Sequence, residues 1–217
     1  MTRLRLFPLR MVLFPGMALP LQVFEERYRT LVAECLAARD PFGVALIREG
    51  TEVGGSAVPF SVGCTARIQR VSPTRDGRLA VTAVGERRFR IVQRYEDRPY
   101  LSAEVEYPVD EAAEVPAEAI EAARERLRQL YRLRDTISGE YHRDANLPAT
   151  AGSLADRVGA LGRGMVSERQ LQALLGALDV RRRFDTADDM LTTIVSATHE
   201  QTAAVVAQRW ATPERRN

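Results

Sequence analysis

The sequence predicts an α+β protein with its strands and helices segregated: a β-rich half over residues 1–110, then an all-helical half over 111–217. Three observations predict it. The opening apolar run is broken by Pro8, Pro15, Gly16 and Pro20, and no helix tolerates that punctuation. From Phe42 to Tyr107 the apolar residues form continuous or alternating runs separated by glycine-rich turns. Beyond Pro116 they recur at helical spacing instead.

Taken in order, Leu6 to Val23 reads as short extended pieces joined by turns. Phe24, Tyr28, Leu31, Val32, Cys35 and Leu36 then mark one face of an amphipathic helix. Phe42 to Arg48 is an unbroken apolar run, the pattern of a buried strand. After a glycine-rich loop over residues 49–56, strands follow at Val62 to Val71, Leu79 to Val84 and Phe89 to Tyr95. Asp76-Gly77 marks a tight hairpin between the first two. Leu101, Ala103, Val105 and Tyr107 alternate with Ser102, Glu104 and Glu106, a strand with one wet face. An acidic, proline-bounded connector over 108–116 leads to helices expected near 116–142, 153–163, 168–178 and 180–209. Ser153 with Asp156 and Ser167 with Gln170 have capping spacing, and Asp179 is placed to cap the last helix.

Leu13-Phe-Pro-Gly-Met-Ala-Leu-Pro-Leu-Gln-Val-Phe-Glu-Glu-Arg-Tyr-Arg29 resembles the opening of the Lon protease N-terminal, substrate-binding domain. The Phe24 to Arg29 portion resembles the stand-alone Lon-domain proteins of bacteria more than the full protease. Val62 to Ile68, Asp76-Gly77-Arg78 and Gly85 to Ile91 resemble that domain's successive strand motifs, in the same order. The resemblance implies a bent, PUA-like pseudo-barrel with one helix over residues 4–107, and more weakly the helical portion that follows it. It also implies a peptide-binding module without the ATPase and protease domains of the full-length family.

Composition bounds the chemistry. All 31 basic residues other than histidine are arginine, so the sequence has no lysine for a P-loop, a Ser–Lys protease dyad or a Schiff base. The net charge of +2 implies no strong pull toward nucleic acid or an anionic membrane. His142 and His199 have no second ligand at metal spacing, and no cofactor is implied. Gly54 to Val58 only approaches a nucleophile elbow, and Gly159 to Gly164 reads as a helix-ending loop, not a phosphate loop. Cys35 and Cys64 read as small core residues, with a single disulfide as the alternative. Two cysteines and no secretion signal or membrane span lead to the expectation of a cytoplasmic protein.

The functional expectation is a non-enzymatic module that holds unfolded or tagged polypeptide, or a protease or chaperone partner, along an apolar groove or sheet edge. Phe14, Met17 and Phe60 are the candidates for that groove, although residues of these types at such positions are more often core. Glu25, Arg27 and Arg88 are expected to form a charge network locking helix to sheet, with the binding of peptide carboxylates as the other reading. Arg181-Arg182-Arg183 reads as a solvated helix face. RNA binding is the alternative function, weakened by 29 acidic residues and 6% aromatic content. Oligomeric state is left open.

Overall fold

The computed structural model describes residues 2–52, 57–139 and 147–211. Two opening strands, β1 (Thr2–Leu9) and β2 (Ala18–Val23), lead into helix α1 (Glu26–Ala38). Strands β3 (Phe42–Glu49), β4 (Val58–Pro59), β5 (Val62–Pro73), β6 (Leu79–Tyr95) and β7 (Ser102–Glu106) follow. The chain ends in α2 (Ala117–Ser138), α3 (Ala151–Leu161), α4 (Glu168–Gly176) and α5 (Val180–Ala211). The sheet runs β1-β7-β6-β5-β3 and closes on itself, because β1 pairs with β7 through Thr2–Arg5 and with β3 through Leu6–Leu9. Closure removes most sheet edges. Strand β6 is long enough to carry a second partner, and β2 lies along its first six residues.

Pro8 lies within the parallel pairing of β1 with β3, opposite Ala45, and the turn to β2 uses Gly16 at φ +75°. Helix α1 starts two residues after Phe24, where the apolar stripe begins, and runs two residues past its end at Leu36. Tyr28, Leu31, Val32 and Cys35 are buried against the barrel, while Phe24 and Leu36, at either end of the stripe, stay about half exposed. Phe7 stacks on Tyr28 with ring centroids 3.9 Å apart, fixing the helix to β1.

In the helical half the caps differ from the expected ones in one place. Helix α3 begins two residues early: Thr150 is its cap, and Ser153 reciprocates as the third helical residue. Ser167 and Gln170 form the capping box of α4, and Asp179 accepts from the Arg182 N–H at 2.7 Å. Helix α2 ends at Gly139 in the left-handed conformation; His142 lies outside the described residues. Gly159 and Gly162 close α3, so this stretch is a helix end.

The core has three parts. One fills the barrel beneath α1, and a smaller one gathers Leu4, Leu6, Ala45, Phe89, Ala103 and Val105. The third joins the two halves: Val12, Phe14 and Leu46 from the strand region pack with Leu127, Leu130, Leu154, Leu174, Leu191 and Ile194 from the helices.

Candidate functional site

The three predicted groove residues lie together, on the seam between barrel and helices. Phe14 is fully buried, its ring against Gly159 of α3 and its carbonyl against Gly85 of β6. It is core and offers nothing to a ligand. Met17 is half-buried and packs on both the barrel and the seam cores, and Phe60 is half-buried on the seam, its N–H donating to the Leu46 carbonyl at 2.8 Å.

The predicted charge network does not form as one unit. Arg27 pairs with Glu25 at 2.9 Å and donates to the Glu52 carbonyl at 3.2 Å, at the start of α1. Arg88 goes elsewhere. Its guanidinium is forked on Asp156 of α3 and donates to the Leu175 carbonyl at 2.8 Å, with side-chain exposures of 7% and 11% for the pair. The physical reason is a β-bulge. Cys64 pairs with Arg88 and Ala66 with Gly85, so Glu86 and Arg87 together face Thr65. The extra residue breaks the alternation and sends four neighbouring charges four ways: Glu86 to Arg67, Arg87 over the Tyr107 ring, Arg88 to Asp156 and Arg90 to Glu106.

Sequence reasoning missed a second lock. Arg183 is fully buried, not on a solvated face, and donates to Asp110 at 2.8 Å and to the Ala177 carbonyl at 2.9 Å. Hydrogen bonding from Arg183 holds the Asp110 carboxyl below its ordinary value. The signal was present: Arg183 stands four and eight residues before Ala187 and Leu191, on the buried stripe of α5.

Two open depressions mark the barrel surface. The first, about 290 Å³, has Pro8, Tyr28, Tyr100 and Leu101 in its walls with Arg27 and Arg98 among the polar groups. The Tyr100 hydroxyl is bonded to Glu34, which also accepts from Arg5 at 3.0 Å and Arg98 at 2.9 Å. These bonds, Tyr100 foremost, hold the Glu34 carboxyl below its usual range. The second depression, about 440 Å³, lies between the start of β1 and the bulge of β6. The outer edge of β2 has no strand partner among the described residues, and Pro20 removes one of its donors.

Both cysteines are free and buried, and burial pushes Cys35 up to about 11 and Cys64 up to about 12, so neither is a ready nucleophile. Among the described residues no three His, Cys, Asp or Glu side chains are grouped to hold a metal. No helix there is long and apolar enough to cross a membrane.

The sequence family described as the ATP-dependent protease La (LON) substrate-binding domain matches residues 3–193. Lon protease 2 of Myxococcus xanthus is 28% identical over 87% of this chain, and the Lon protease of Paraburkholderia phytofirmans is 30% identical over 85%. The chain spans only 23% of the length of each. A crystal structure of a Lon N-terminal domain protein from Xanthomonas campestris superposes with a TM-score of 0.65 at 30% identity, covering 85% of this chain and 96% of that one. The N-terminal domain of the Mycobacterium avium complex Lon protease shares the fold, with a TM-score of 0.65 at 21% identity.

Proposed function

The chain belongs to the Lon substrate-binding domain family, and from that membership we propose that it is a polypeptide-binding module serving proteolysis, with no catalysis of its own. It takes up unfolded or tagged chains and presents them to a protease or chaperone. The observation that carries this reading is the family match across residues 3–193. The first depression supports it: tyrosine, proline and leucine walls suit apolar side chains, and the nearby guanidiniums suit carbonyls or carboxylates of the same segment. The unpaired edge of β2 supports it too, since an extended chain can add there as a strand. The absence of lysine from the sequence supports a role without ATP or peptide hydrolysis. Two free, buried thiols support a reducing, cytoplasmic setting.

The test is fluorescence polarisation with a labelled unfolded polypeptide, the same polypeptide folded, and a single-stranded RNA, each over a salt series. Saturable binding of the unfolded form alone is the expected result. Steeply salt-dependent RNA binding with no polypeptide binding would replace this function with RNA recognition.

A further inference from the structure

The second depression is built differently from the first. Arg3, Arg5, Arg67 and Arg87 line it against two carboxylates, Asp40 and Glu86. Arg67 is forked on Glu86; Arg5 reaches Asp40 at 3.4 Å and Glu34 at 3.0 Å; Arg3 is held by Asp97 and Ser102. Arg87 alone of the four has no carboxylate partner among the described residues. Its guanidinium carbon sits 3.5 Å from the centre of the Tyr107 ring, which supports the cation and leaves its edge donors unengaged by any carboxylate.

The bulge aims it there. The hydroxyl of fully buried Thr65 accepts from the Arg87 N–H and donates to the Arg87 carbonyl, both at 3.3 Å. The backbone beneath Arg87 is therefore fixed on both sides, and its fork is pre-positioned. Beside it, the Leu6 N–H donates to Leu101 at 2.8 Å, so strand alternation turns the backbone groups of Arg3 away from β7, toward this depression. Strand β3 joins β1 only from Leu6 onward.

We propose that this depression binds an acidic segment of polypeptide, one carboxylate seated on the fork of Arg87 and the chain laid along the start of β1. The inference rests on the polypeptide-binding reading above and names a substrate class for it. Charge complementarity selects the ligand: carboxylates already offset Arg3, Arg5 and Arg67, while among the described residues none offsets Arg87. A nucleic acid fits less well: Arg87 already covers the Tyr107 face a base would stack on, and Asp40 and Glu86 would meet the phosphates.

The experiment is fluorescence polarisation of the full chain with three labelled, unstructured peptides. One carries glutamates and an amidated C-terminus, one glutamines and an amide, one glutamines and a free carboxylate. Preference for either carboxylate-bearing peptide over the neutral one is expected, and the better of the two identifies side chain or chain end as the source. Arg87→Gln, at an exposed position whose folding is checked by its thermal midpoint, is expected to weaken that binding about tenfold, the loss of one charge-assisted hydrogen bond. Equal binding of all three peptides, or a preference that survives Arg87→Gln, overturns the proposal. So does an oligouridylate whose binding, rather than the peptide's, is lost in the variant. A parallel titration with unfolded, carboxamidomethylated lysozyme separates the failures. Lysozyme binding without carboxylate preference removes this site and keeps the module; binding of neither removes both.

Discussion

At the scale of residues, one ion pair ties β6 to α3 and another ties the connector after β7 to α5, and both involve arginines that a charge count would place in solvent. Arg88 and Asp156 are nearly dry, so removing one partner strands the other without water. Arg88→Ala or Asp156→Ala is expected to destabilise the protein by about 3–5 kcal/mol in urea unfolding. The paired change Arg88→Met with Asp156→Leu is expected to lose less than the sum of the two single changes, because it buries no orphaned charge. Asp110 carries a pH dependence. Its carboxyl is lowered in the folded protein, so its contribution is complete above about pH 4, the ordinary aspartate value, and disappears as pH falls through the folded-state value. Urea midpoints of the wild type should therefore fall below pH 4 more steeply than those of Asp110→Asn, whose side chain does not titrate. Equal slopes would show that Asp110, 42% exposed, is screened by solvent.

Among the elements, α3 is held at both ends by identifiable groups. Its start rests on the reciprocal bonds of Thr150 and Ser153, so Thr150→Ala is expected to lower stability by about 1 kcal/mol, measured by thermal or urea unfolding. Its end presses on Phe14 through Gly159. In an isolated helix glycine to alanine gains about 1 kcal/mol, but here the new methyl would overlap the Phe14 ring. Overpacking of about 1–3 kcal/mol outweighs the helix gain, so Gly159→Ala should destabilise. The same change made in a Phe14→Leu background should lose far less, a double-mutant cycle that checks the contact. The bulge in β6 is the other decisive element. One extra residue opposite Thr65 is why four consecutive or alternating charges serve four separate partners.

For the whole molecule, the seam core decides cooperativity. Val12, Phe14 and Leu46 belong to the strand half by sequence and to the helical core by packing. Separating the halves would expose them along with Arg88 and Asp156. Unfolding is therefore expected as one transition, with far-ultraviolet dichroism, dominated by helices, and near-ultraviolet dichroism from the tyrosines coinciding in urea. Two separated midpoints would mean that residues 1–110 and 111–217 fold as independent units.

Secondary structure and core were legible because they follow local rules. Proline and glycine forbade helix in the first twenty residues, alternation marked β7, and spacing marked the faces of α2, α4 and α5. The roles of the charged residues were not legible. Arg87 and Arg88 are adjacent and chemically identical in sequence, yet one lies over Tyr107 in an open depression and the other is buried on Asp156. A register shift separates them, and register is a property of two paired strands. Phe14, too, had the composition of a groove residue and the position of a core one. By itself the chain determined which residues are apolar, where helices cannot form, and that lysine chemistry is absent. Only the tertiary structure decided which arginines are buried, where the two open depressions lie and which aromatic rings fill the seam, because burial and pairing depend on residues distant in sequence.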